Sequence, residues 1–241
     1  MKIGINRKNK GKHNGSGLVS AVIVAAGNSS RMGGEDKLAL PLAGSTVIAH
    51  TIRAFQDCAE VGEIVLVLRK GAEKAALEGA SGCGKLSRIV HGGATRTESA
   101  YAGVMACDRT SEIILIHDGA RPLVTEKVIR NAILGAREFG AAVPVTPVTD
   151  TIKVGKGGFA DSTPDRAALF AAQTPQAFRA ELIKAALQAA LDQGLSLTDD
   201  CAAVEKLGMR VRLVEGDACN RKITLPSDLV LAEALWKEIH S

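Results

Sequence analysis

The sequence predicts an α/β fold: a Rossmann-like open, mainly parallel sheet flanked by helices, with a β-hairpin arm projecting from it. Short apolar runs at 20–26, 63–68, 112–117 and 141–145 alternate with longer segments whose apolar residues recur at helical spacing. These runs are apolar on both faces, as strands buried between two helical layers must be. Between 147 and 170 the alternation lapses into Thr149-Asp-Thr-Ile-Lys153, a Gly-Lys-Gly-Gly tip and Asp165-Arg166, which offer little to a core. Turn residues and short alternation there predict the arm. A lone hairpin is marginal, so a second subunit is its economical partner.

Composition narrows the classes. The 241 residues suffice for a real core, and 46% hydrophobic content is ordinary for a globular chain. Only 3% aromatic residues weaken any case for single-stranded nucleic acid, whose bases stack on such rings. Much of the net charge of +4 comes from Lys2, Arg7, Lys8, Lys10 and Lys12. Residues 1–17 are expected to be a disordered basic lead-in, with an arm for nucleic acid as the alternative. Residues 18–241 are expected to form one domain. No apolar run near the start is long enough for a membrane span or signal peptide. The five cysteines (58, 83, 107, 201, 219) have no C-x-x-C pairing, which predicts reduced thiols and a cytoplasmic location.

Taken in order, the first strand runs into three glycines, two serines and Arg31 within residues 27–34, and Lys37 follows. Backbone approaches a phosphate closely only where side chains are absent, and the two cations add a donor fork and a point charge. A plain strand-to-helix turn with solvated cations is the alternative, since neither a P-loop nor a dinucleotide glycine spacing is present. Gly44-Ser-Thr46 predicts a cap for a helix through about Cys58, with His50 off its apolar face and at the surface. A strand at 63–68, a short helix at 72–77 and a strand at 88–91 lead to Gly92-Gly93. Thr95 and Glu98 then have capping-box spacing at the start of a helix, where glycines suit an anion or a nucleobase edge.

The strand at 112–117 ends in Asp118-Gly-Ala-Arg-Pro122. A charged pair just past the carboxyl end of a central parallel strand lies where open α/β sheets bind ligands. Asp118 suits a metal or hydroxyl and Arg121 an anion; a structural pair closing the turn is the competing account. Helices are predicted over 125–139, 180–193, 198–207 and 226–239, with Thr198-Asp199-Asp200 capping the third. Strands are predicted at 211–214 and 220–224. Parallel strands share a carboxyl end, so the Gly-rich turn, the Gly92-Gly93 turn and the Asp118 turn fall on one edge.

In series, Ala25-Ala-Gly-x-x-x-Arg31-Met with Lys37, Gly92-Gly93-x-x-Arg96-x-x-Ser99, His117-Asp-Gly-Ala-Arg-Pro122, Asp150-Thr151, Gln173-Thr-Pro-Gln176, Thr198-Asp199 and Asn220-x-Lys222-x-Thr224 resemble one family. It is 2-C-methyl-D-erythritol 4-phosphate cytidylyltransferase, of the sugar nucleotidyltransferase superfamily. The first motif is shared widely among sugar nucleotidyltransferases; the whole series, from about Ser20 to the C-terminus, is far more specific. The resemblance implies transfer of CMP from CTP to methylerythritol phosphate, with release of pyrophosphate, in non-mevalonate isoprenoid synthesis.

It also implies roles. Arg31 and Lys37 would stabilise the pentacoordinate phosphorus, with Arg166 and Lys222 joining the catalytic set. Ala25, Ala26 and Gly27 would wrap the triphosphate, while Gly93 and Ser99 contact cytosine and Asp118 lies between nucleotide and sugar phosphate. Arg121, Thr151, Arg166, Thr174 and Lys222 would bind the substrate, with Thr151 and Arg166 reaching a neighbouring subunit's site in a homodimer. Magnesium would be held mainly by the CTP phosphates rather than by a protein-only metal site. Ala94 departs from the acid that many relatives carry there. Ribitol-5-phosphate cytidylyltransferase and a non-catalytic nucleotide-binding module of the same fold are the alternatives.

Overall fold

Strand β1 (Leu18–Ala25) has Ala21, Val22 and Ile23 wholly buried, a burial that only the centre of a sheet covered on both faces gives. The structure is a computed structural model, and it describes residues 17–27 and 36–239. The basic lead-in before Gly17 and the Arg31 expectation therefore lie outside the described residues. After β1 come a two-rung hairpin of β2 (Pro41–Leu42) and β3 (Ser45–Thr46), then α1 (Val47–Asp57), β4 (Glu63–Leu68) and α2 (Glu73–Gly79). β5 (Leu86–His91), α3 (Arg96–Ala106), β6 (Ser111–Asp118), α4 (Glu126–Phe139) and β7 (Ala141–Pro147) continue the alternation.

β8 (Val154–Lys156) and β9 (Phe159–Ser162) form the arm, followed by a single 3-10 turn at Arg166–Ala168. β10 (Phe170–Ala172), β11 (Gln176–Arg179), α5 (Ala180–Asp192), α6 (Cys201–Lys206), β12 (Arg212–Glu215) and α7 (Pro226–Ile239) complete the chain. The main sheet has eight strands in the order β10-β7-β11-β6-β1-β4-β5, with β12 beside β7. β1 runs parallel to β4 and β6, and β4 to β5, as the alternation predicts.

Successive residues of the central strands serve opposite faces. Ile23, Leu66 and Leu115 join one apolar cluster with residues of α1, α4 and α7. Val22, Val67 and Ile116 join the other, with residues of α3, α5 and α6. α3 lies so close to the sheet that a Cβ on Gly103 would collide with Val22 and Val67, so glycine is required there. The inward face of α4 (Val128, Ile129, Ala132, Ile133, Ala136) is buried as its spacing predicts. Thr46, Thr95 and Thr125 each cap the helix that follows.

Four expectations need correction. β11 lies antiparallel between β6 and β7, so a return strand is inserted into the parallel sheet where no strand was predicted. Asn220–Thr224 is not a strand; within it Ile223 N–H donates to Ala120 O, pinning an extended loop against the turn after β6. The helix expected over 198–207 occupies only Cys201–Lys206, with Asp200 at the position just before it held by Arg96. His50 is buried rather than at the surface: its Nε2 meets Leu42 O at 2.7 Å and its ring lies 4.1 Å from that of Trp236.

The hairpin expected in the arm is present as β8 and β9. Gly157 and Gly158 both have positive φ (58° and 84°), which builds the two-residue turn whose twist suits a hairpin. Phe159 is 81% exposed at its tip.

Candidate active site

Because β1, β4, β5 and β6 are parallel, the segments after Ala25, His91 and Asp118 meet at one edge. Gly92 is wedged there: a Cβ on it would collide with Ala26 and come within 2.6 Å of Ser99 Oγ. Ala25 is buried, Ala26 half-buried and Gly27 exposed, so the chain emerges from the sheet at the start of the Gly-rich loop. At that loop's far end Asp36 accepts from Arg69 at 2.6 Å, which ties the loop to the end of β4. Lys37 Nζ donates to Ile223 O at 3.2 Å, bringing the first loop and the 220–224 segment together.

Asp118 is the centre of this edge. Its Oδ2 lies 3.0 Å from Lys222 Nζ and 3.4 Å from Arg121 Nε, and its Oδ1 lies 3.8 Å from Arg96 Nη2. Burial raises the Asp118 pKa, but the attraction of Lys222, Arg96 and Arg121 outweighs it and holds the carboxyl well below the usual carboxylate range. Arg121 in turn donates from Nη1 to Asn220 O at 2.7 Å.

The backbone beneath Asp118 is fixed by an explicit chain of donors and acceptors. Burial lowers the His117 pKa to about 4, so the ring is neutral at neutral pH. Its Nε2 faces Arg121 O, which only accepts, and Nε2 therefore carries the proton. Nδ1 then accepts from the Thr174 hydroxyl, and the same hydroxyl oxygen accepts from Asp118 N–H at 3.0 Å. Asn220 Nδ2 donates to Thr174 O and to Gln173 Oε1, closing the network. Thr174 is thus buried, with its hydroxyl engaged by protein.

Arg96 opens α3 and forks onto Asp200, with contacts of 2.8 and 2.7 Å. Burial lowers the Arg96 pKa, yet Asp200 more than compensates and keeps the guanidinium firmly charged. Gln176 Oε1 accepts from the backbone N–H groups of Asp200 and Cys201, and its Nε2 donates to Asp199. Asp199 rather than Asp200 caps α6, accepting from Ala202 N–H. The expected caps were therefore right in segment, while Asp200 has a different task.

At the Gly92-Gly93 turn two of the amides before α3 are already taken. Glu98 occupies the N–H groups of Ala94 and Thr95, completing the capping box. Ser99 is buried beside Gly92 and donates to Thr95 O at 2.9 Å, which leaves its oxygen able to accept.

Thr151 and Arg166 stand in the exposed arm, where Arg166 donates to Thr149 O at 2.9 Å. Among the described residues neither shares a hydrogen bond or ion pair with Asp118 or Lys222. Of the other expected residues, Ala25, Ala26 and Gly27 lead out of β1, Ala26 and Ser99 both crowd Gly92, Gly93 lies against Glu98, and Asp118 is joined by Arg121, Lys222 and Thr174. Reasoning from sequence assigned no role to Arg96, His117, Gln176 or Asn220, and gave Asp200 only a capping one. Arg96 had a readable signal, since a cation in the first turn opposes the helix dipole and calls for an acid elsewhere.

Asp118, with one oxygen clear of hydrogen bonds, fits magnesium that arrives with a polyphosphate, because Mg²⁺ takes few protein ligands and keeps its phosphates and waters. Among the described residues the acid cluster dense enough for a protein-held ion is Cys58, Glu60 and Glu126. There Arg130 already pairs with both glutamates, and burial pushes the Cys58 thiol up to about 11.

The fold and edge define an α/β nucleotidyltransferase. Residues 19–238 match the family model described as IspD, 2-C-methyl-D-erythritol 4-phosphate cytidylyltransferase, and the chain belongs to that family. The enzyme of that name from Caldanaerobacter subterraneus subsp. tengcongensis is 46% identical over 225 residues, covering 91% of this chain and 99% of the relative. A 4-diphosphocytidyl-2C-methyl-D-erythritol synthase from Anaerococcus prevotii superposes with a TM-score of 0.83 at 32% identity, covering 91% and 98% of the two chains. The 2-C-methyl-D-erythritol 4-phosphate cytidylyltransferase of Thermus thermophilus gives 0.76 at 37% identity, covering 91% and 99%.

Proposed function

We propose that this chain transfers the cytidylyl group of CTP to the phosphate of 2-C-methyl-D-erythritol 4-phosphate, releasing pyrophosphate, as a step of isoprenoid precursor synthesis. A phosphate oxygen of the acceptor attacks the α-phosphorus; the bond from that phosphorus to the bridging oxygen of the β-phosphate breaks, and pyrophosphate leaves. The nucleophile is already ionised at neutral pH, so the protein's task is positioning and charge neutralisation. Support comes chiefly from one arrangement: Lys222 and Arg121 paired with Asp118, Arg96 standing 3.8 Å from its other oxygen, and Lys37 tied to the residue after Lys222.

On this reading Lys37, with Arg31 of the Gly-rich loop, neutralises charge developing on the α-phosphate. Ala25, Ala26 and Gly27 supply backbone to the triphosphate. Gly93 and Ser99 meet the cytosine. Lys222 and Arg121 hold the sugar phosphate, and Asp118 sets their geometry while Thr174 holds Asp118. Magnesium, when bound with CTP, supplies neutralisation of the departing pyrophosphate, and Asp118 is the side chain that would face it. The arm at 147–170 serves a homodimer and carries Thr151 and Arg166 to the partner's substrate. Residues 18–241 act as one catalytic domain in the cytoplasm, where five free thiols stay reduced. Among the described residues no helix is long and apolar enough to cross a membrane.

The test is pyrophosphate release with CTP and Mg²⁺, comparing methylerythritol phosphate with ribitol 5-phosphate. Release with the former alone is expected. Release only with ribitol 5-phosphate overturns the substrate, and silence with both, in a protein that still binds CTP, overturns catalysis. Arg166→Ala is expected to raise the KM for the sugar phosphate while leaving CTP binding nearly unchanged; weakened CTP binding instead would remove the arm from its assigned place.

A further inference from the structure

Arg96 stands between two carboxylates and serves them unequally. Toward Asp200, 1% exposed, it makes a two-pronged contact at 2.7–2.8 Å; toward Asp118 it stops at 3.8 Å, outside hydrogen-bonding reach. Asp118 already has two cations, and both sit on Oδ2. Oδ1 is the oxygen left open, and Arg96 is the cation that would close it. A paired fork in a nearly dry setting is among the strongest polar contacts available, so Asp200 wins the guanidinium. Asp200 is itself immobile, because Gln176 grips its backbone N–H and that of Cys201. Asp199, the neighbouring acid, is committed to Gln176 and Ala202 and cannot substitute.

We propose that Asp200 is a positioning residue that holds Arg96 away from Asp118, keeping Oδ1 open for the magnesium ion carried in on the nucleotide. The inference rests on the reading of the edge as a CTP site. Release of Arg96 would let it swing onto Oδ1, add a third cation to the carboxylate and repel the incoming metal. The enzyme would keep its folded site and lose the ability to recognise the metal-bearing form of the nucleotide.

The readout is the ratio of CTP affinities measured by calorimetry with and without Mg²⁺, which reports metal recognition apart from turnover. Asp200→Asn is expected to lower that ratio about tenfold, and a crystal structure of the variant should show Arg96 within hydrogen-bonding distance of Asp118 Oδ1. Arg96→Gln in the Asp200→Asn background removes the intruding cation and should return the ratio to the wild-type value or above it. A double variant as impaired as Asp200→Asn would make the pair a plain anchor and overturn the proposal, as would an unchanged ratio in Asp200→Asn. If Asp200→Asn does not fold, Arg96→Lys gives the second handle. It keeps the charge but loses the fork and reach, so its ratio should equal or exceed wild type, and a fall would count against the proposal. Asp118→Asn separates the two levels: a ratio unmoved by it removes the underlying reading of Asp118, whatever Asp200 does.

Discussion

Glu63 and Asp118 are both buried carboxylates on one sheet, at opposite ends of its parallel strands, and they are solved in opposite ways. Glu63 opens β4, at the amino end of the strands. Its Oε2 accepts from Ser20 Oγ at 2.6 Å and Asp108 N–H at 2.8 Å, and its Oε1 accepts from Ser87 Oγ at 2.6 Å. Arg88 stands off at 3.8 Å. Neutral donors saturate this group, and nothing is left for a ligand. Asp118 closes β6 at the carboxyl end, where cations replace neutral donors and one oxygen stays open. Neutral saturation yields a brace; cationic crowding with an open lone pair yields a site that a polyanion and its metal can enter.

Neutralising each acid tests this contrast most severely. Asp118→Asn should cut kcat by about a hundred- to a thousand-fold, the scale of removing one preorganised electrostatic group. A fall below about tenfold would reduce Asp118 to a second brace. Next in size is a pH effect beneath Asp118. The folded pKa of His117, about 4, lies below the ordinary value of 6.5. The unfolded state therefore binds the extra proton between those values, and stability falls as pH drops from 6.5 toward 4, by roughly 3 kcal/mol at most. Urea midpoints across that range should slope less in His117→Gln; equal slopes would show that the ring is not held neutral.

Glu63→Gln should cost about 1–3 kcal/mol of stability, because an amide N–H₂ group meets donors where an acceptor stood. Turnover per folded molecule should not change; a large loss of kcat there would dissolve the distinction between the two acids. Ser87→Ala removes one donor to the same carboxylate and should cost about 1 kcal/mol, read as a shift in Tm.

The elements set by local chemistry were legible from the chain. α7 begins at Pro226, α4 shows its buried stripe, and Thr95 with Glu98 marks α3 to the residue. The shared edge followed from strand parallelism alone. β11 escaped notice because it has only Gln176–Arg179, too short for a period to declare itself, and its place between β6 and β7 is a tertiary fact. Asn220–Thr224 looked extended and is extended, but extension does not reveal whether the backbone pairs in a ladder. His50 sits off the apolar stripe of α1, and only Trp236, far along the chain, explains its burial. The grip of Arg96 on Asp200 spans 104 positions, beyond any local signal.

Glu98 carries a consequence for how a nucleotide lies. Its carboxylate sits on the amides of Ala94 and Thr95, so the start of α3 holds a resident anion of its own. A phosphate approaching those two amides would meet like charge and find them taken. On the proposed reading this makes the cleft polar along its length: the phosphate tail is turned away from α3 and can thread only toward the Gly-rich loop, and the neutral base is what α3 receives. On that same reading, a ligand bound backwards would meet the Glu98 carboxylate before it reached Lys222 or Arg121.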